Sequence, residues 1–150
     1  MKRIGYFLLL FSFIFASCSS DDGPAQEISI VGTWTATSFL TSQSFDLDGD
    51  GQESNDIIEE LDCYMSVLTF RADGTFSSAT SDIILEADGT GSCDLVGSSA
   101  SGTYVYENGR LSTINNGQSI TSTVDLSADT LVLGGQDQNL GTLTITYSRN

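Results

Sequence analysis

The chain has 150 residues, with five basic against twenty acidic side chains, no histidine and a net charge of −15. So little positive charge excludes nucleic acid as a partner, because phosphate contacts need clustered lysine or arginine. The lack of histidine excludes histidine-based nucleophilic triads and histidine-ligated zinc.

The first element is an export signal. Lys2 and Arg3 precede a twelve-residue apolar run at 4–15, interrupted by Gly5 and Ser12. As a helix this run spans roughly 18 Å, short of the ~20 residues a membrane span needs, and it fits the core of a signal peptide. Phe15-Ala16-Ser17-Cys18 follows and resembles the bacterial lipobox. That resemblance implies removal of residues 1–17, diacylglycerol on the Cys18 thiol and a further acyl chain, such as palmitate, on the new amine. Two or more chains anchor a protein stably. The expected location is the outer membrane, on its periplasmic or cell-surface face.

Cleavage leaves Arg71, Arg110 and Arg149 against all twenty acids, a net charge of −17 with no lysine. Such a chain is repelled by anionic lipid and favours cations as ligands. Residues 18–27 form a polar tether reaching about 30 Å when extended. Its Ser19-Ser20-Asp21-Asp22 resembles the acidic surface-export signal of Bacteroidetes lipoproteins, and a plain solvated linker accounts for it equally well.

From residue 28 the pattern is β. Residues 32–39 carry threonine at alternate positions, with Trp34 and Ala36 on the other face, the period of a half-buried strand. Further strands are predicted at 64–71, 75–79, 81–87, 102–106, 110–114, 119–126, 130–133 and 140–148. Asp73-Gly74, Asp88-Gly89 and Asn108-Gly109 stand between them as turn signals. One short helix is predicted at 56–61. Eight to nine short strands with frequent turns predict one antiparallel β domain over 28–150, a barrel or sandwich.

Asp46-Leu47-Asp48-Gly49-Asp50-Gly51-Gln52 fits the first part of a calcium loop, in which alternating aspartates converge their carboxylates around a tight glycine bend. Gln52 would add its backbone carbonyl. The glutamate that closes an EF-hand is replaced by Ile57, so Asp56 or Glu60, four apart on one helix face, would complete the site. A solvated acidic turn is the other reading. Of three cysteines, lipidation of Cys18 leaves Cys63 and Cys93 as an even pair for a disulfide, suited to an exported domain.

Schiff-base chemistry needs a lysine that the processed chain lacks, and nothing in the sequence marks a carboxylate pair as a glycosidase cleft. An enzyme is therefore not expected. Trp34, Tyr104, Tyr106 and Tyr147 are the aromatic candidates for lining a pocket for an apolar ligand or a sugar, or for core packing.

Gly32-Thr33-Trp34 resembles the Gly-x-Trp that opens lipocalins. Asp46 to Cys63, then Leu68-Thr69-Phe70 and Asp73-Gly74-Thr75-Phe76, with Cys93 and Gly102-Thr103-Tyr104, are similar to lipocalin-like lipoproteins of Bacteroidetes. The resemblance covers most of 28–148 and implies a small lipocalin-like barrel on the cell envelope. It leaves two functions open: a binding module with a small apolar ligand inside the barrel, or a structural or interaction lipoprotein whose filled barrel contacts an envelope partner or a glycan. A cavity of several hundred Å³ would favour the first.

Overall fold

The computed structural model describes residues 28–150 except Asn139; the predicted leader, Cys18 and the tether lie outside these residues. The described residues form β1 (Gly32–Phe45), β2 (Ser54–Asp56), α1 (Ile57–Glu60), β3 (Ser66–Phe70), β4 (Thr75–Leu85), β5 (Gly91–Glu107), β6 (Arg110–Asn115), β7 (Gln118–Leu126), β8 (Thr130–Asp137) and β9 (Gly141–Arg149). Each strand from β3 to β9 pairs antiparallel with the next. β1 pairs with β3 on one side and β9 on the other, so these eight strands close into a barrel, and β2 extends the sheet beside the far half of β1. Closure pairs these strands around the barrel, while the first part of β5 extends past the β6 ladder, which begins at Thr103, and pairs with β4 alone.

Alternation along the strands points one face of each inward. Leu68 and Phe70, Leu111 and Thr113, Leu131 and Leu133, and Ile145 and Tyr147 are the inward pairs of their strands. The register shifts in β1 between Ala36 and Ser38, and between β4 and β5 beside Thr80. Each shift swaps the inward parity, as a bulge must when side chains alternate with period two. In β1 the inward series passes from Trp34 to Phe39. Two clusters of buried side chains result. One joins Ile30, Trp34, Phe70, Phe76, Leu111, Leu131 and Tyr147. The other joins Phe39, Leu47, Ile57 and Leu61, and packs α1 and the acidic loop against the barrel.

The Trp34 end is held by one arginine. Arg149 donates from Nε to the Ala128 carbonyl (2.6 Å), from Nη1 to that of Val31 (2.8 Å) and from Nη2 to that of Ser29 (2.6 Å). Its guanidinium lies 4.1 Å from the centroid of the Trp34 ring. Trp34 is wholly buried, and its indole N–H donates to the Ile30 carbonyl at 2.8 Å. Gly32 explains the first position of Gly-x-Trp: its φ is +147°, and a Cβ there would sit 2.5 Å from Arg149 Nη1.

The structure bears out the predicted β barrel and the helix, which runs over Ile57–Glu60 between its caps Asp56 and Leu61. It revises the strands. The predicted strands at 75–79 and 81–87 are one strand, β4, bent by the register shift. β5 begins at Gly91, eleven residues before the predicted start at 102. β1 continues to Phe45, and β2 was not predicted.

Candidate functional site

The interior is not filled. A cavity of about 320 Å³ lies above the first cluster and opens toward the β6–β7 turn. Its apolar lining is Leu68, Phe70, Phe76, Ala100, Leu111, Ile120, Leu133 and Tyr147. Its polar lining is Ser78, Thr113, Asn115, Asn116, Gln118 and Ser122. No lining residue is charged. The turn at the mouth is formed by Asn116 and Gly117, both with positive φ (49° and 80°), the backbone a tight two-residue hairpin requires. It sets Asn115 beside Gln118, its partner on the neighbouring strand, at the lip of the mouth.

Beside the cavity runs a chain of hydroxyl groups. Ser66 lies 3.1 Å from Thr80 Oγ1 and 3.4 Å from the Tyr147 hydroxyl. Burial raises the pKa of Tyr147, with the Ser66 hydrogen bond opposing it. Tyr64 is pushed up to about 12, mainly by burial and then by the nearby Tyr147. Both phenols are therefore neutral donors and acceptors at ordinary pH.

Of the four aromatic residues singled out in the sequence, Tyr147 lines the cavity and the other three do not. Trp34 is fully buried under Arg149. Tyr104 sets its ring edge against Phe70 at 4.9 Å and donates its hydroxyl to the Arg71 carbonyl at 2.9 Å. Tyr106 packs against the first cluster. All three belong to the opposite end of the barrel, where core packing claims them. The walls and mouth residues were missed. The signal that marks the mouth, Asn116-Gly117, is the same turn dipeptide that was used at Asn108-Gly109.

The acidic loop converges as expected in part. One carboxylate oxygen from each of Asp46, Asp48 and Asp50 lies within 4.8 Å of the others. Asp48 accepts the Asp50 N–H (2.9 Å), Asp50 accepts that of Gln52 (2.7 Å), and Asp46 Oδ2 accepts that of Gly51 (3.2 Å). Asp46 Oδ1 is buried with no hydrogen-bond partner among the described residues. Gln52 meets the cluster through N–H groups, donating to Asp50 from its backbone and its side-chain amide.

Asp56 and Glu60, the predicted closing ligands, do not join this cluster. Asp56 caps α1 by accepting the Ile58 N–H at 3.0 Å. It also accepts the Phe39 N–H at 2.9 Å and the Ser38 hydroxyl at 2.6 Å. Glu60 accepts the Leu47 N–H at 2.8 Å. The helix face they share is the buried one, and backbone donors there take both carboxylates. Cys63 and Cys93 form the predicted disulfide, with Cα atoms 5.8 Å apart.

The family described as a lipocalin-like domain matches residues 30–133. No curated protein matches the sequence. Among solved structures, a redesigned β barrel is 16% identical with a TM-score of 0.42, covering 80% of this chain and 90% of its own. A de novo fluorescence-activating β barrel is 13% identical at 0.40, covering 80% and 93%. A mutant of the fluorescent protein UnaG is 10% identical at 0.37, covering 81% and 96%.

Proposed function

The chain belongs to the lipocalin-like domain family, and from that premise we propose that it is a non-enzymatic binding module that holds a small, largely apolar molecule inside its barrel. The observation that carries this reading is the 320 Å³ cavity floored by Phe70, Phe76, Leu111 and Tyr147. Its volume lies at the lower end of the range for small-molecule sites, and its mix of apolar walls with a few polar groups is typical of them. A filled barrel acting only as an interaction surface would need side chains in that space. The test is titration with the neutral fluorophore N-phenyl-1-naphthylamine. Saturable enhancement is expected, and it should be lost in Ala100→Phe, which plugs the wall. Enhancement that survives the plug would place the probe elsewhere.

The proposal extends to the loop and the anchor. A structural calcium ion at Asp46, Asp48 and Asp50 would satisfy the buried, unpartnered Asp46 Oδ1 and relieve repulsion among three clustered carboxylates. Thermal stability should rise in millimolar calcium and stop rising in Asp48→Asn/Asp50→Asn. An unchanged transition in millimolar calcium would show that the loop holds no structural ion. The lipobox-like sequence supports an envelope lipoprotein of the Bacteroidetes type, attached through Cys18 to the outer membrane. Mass spectrometry of the processed N-terminus should find an acylated Cys18, and Cys18→Ser should free the protein from membranes.

A further inference from the structure

We propose that the cavity takes an uncharged amphiphile, its apolar body on the aromatic floor and its hydrogen-bonding group at the Asn115–Gln118 mouth, and rejects anions and cations of equal length. The proposal rests on the cavity being the ligand site. Ser78, Thr113, Asn115, Asn116, Gln118 and Ser122 are its polar lining, all neutral. None of their side chains is spent on a hydrogen bond within the described residues. They are therefore available to a hydroxyl, ester or amide.

The cations of the domain are elsewhere. In an up-and-down barrel alternate turns fall at opposite ends. Arg71 follows β3, Arg110 opens β6 opposite Glu107, and Arg149 ends β9. All three are at the Trp34 end, away from the β6–β7 mouth. Arg149 is fully engaged with three carbonyls, and Arg71 donates to the Ser77 hydroxyl at 3.3 Å. A carboxylate entering the cavity would find no positive partner there, inside a chain of strongly negative net charge. An ammonium would find no carboxylate in the lining. Burying an ion without a partner costs several kcal/mol, whereas a neutral polar group needs only a hydrogen bond. The volume holds about ten water-sized groups, which suits a medium-length chain.

The experiment compares decanol, decanoate and decylammonium on the purified full chain by displacement of the same neutral fluorophore, at neutral pH. Salt near ~0.15 M keeps distant surface charges screened. Decanol should bind at least about tenfold more tightly than either ion, as the missing counter-charge requires. An ion that binds within about threefold of decanol overturns the proposal, because burial would then carry no penalty for charge. Failure of all three to displace a bound fluorophore would strike at the cavity reading itself, and the proposal falls with it. Asn115→Arg supplies the second arm. It should raise decanoate affinity about tenfold and so narrow or reverse the preference for decanol, as a charge-assisted hydrogen bond at the mouth would. Unchanged decanoate affinity would contradict the placement of the polar group at the mouth.

Discussion

Replacing Cys63 and Cys93 by serine removes the one covalent link between the α1 segment and the β4–β5 hairpin. The cysteines are 30 residues apart. A loop of that length gives about 3–4 kcal/mol in the chain-entropy treatment of the unfolded state. The native side adds to this, because Cys93 packs against the second cluster with Ile83 and Tyr64. For a domain of this size the loss corresponds to a fall of roughly 10–20 °C in the midpoint of thermal unfolding. Urea unfolding followed by Trp34 fluorescence provides the assay, since Trp34 is the single tryptophan and is wholly buried. Reduction of the wild type should reproduce the double mutant. A loss below about 1 kcal/mol, in a protein whose unreduced form resists alkylation, would refute the loop-entropy reasoning.

Three further outcomes are expected. Arg149→Met should cost about 3–5 kcal/mol in urea unfolding, since three carbonyls lose a charged donor and Trp34 loses its stacked partner; a cost under about 1 kcal/mol would show that the Trp34 end is held by packing alone. Asp56→Ala should cost about 2–4 kcal/mol, because the cap of α1 and two bonds to β1 go together; a near-neutral result would dismiss Asp56 as the tie between helix and barrel. Raised phenol pKa values destabilise the fold in alkali: unfolded tyrosine ionises near 10, Tyr64 only near 12 in the native state, so stability intact below pH 10 should fall as pH climbs toward 12. Absorbance titration should show phenol groups ionising late and together with unfolding; complete ionisation near pH 10 in a protein with native circular dichroism would contradict this.

What the sequence shows of this fold follows where one physical signal dominates. The alternation of Leu143, Ile145 and Tyr147 against threonines located β9, and Asn108-Gly109 located the β5–β6 hairpin, because a turn with positive φ at both positions has few sequences. β5 before residue 102 was not legible. Gly91, Ser92, Asp94 and Gly97 to Ser101 have little strand preference of their own, and it is the ladder with β4 that holds them extended. The acidic loop was legible as a converging turn, since every second residue is an aspartate. Its closure was not, because helical spacing places Asp56 and Glu60 on one face without saying that the face is buried. Aromatic type was a poor guide to the cavity. Trp34, Tyr104 and Tyr106 are inward residues like Tyr147, and only the position along the barrel axis separates floor from plugged end.

Amide chemical-shift mapping reads ligand binding in the barrel interior residue by residue. Titration with decanol should move the signals of Leu68, Phe70, Ala100, Leu111, Thr113, Ile120 and Ser122, with a saturable dependence, and leave Asp48 to Gln52 and Arg149 in place. Shifts scattered over the outer strand faces, or none at saturating decanol, would contradict binding there.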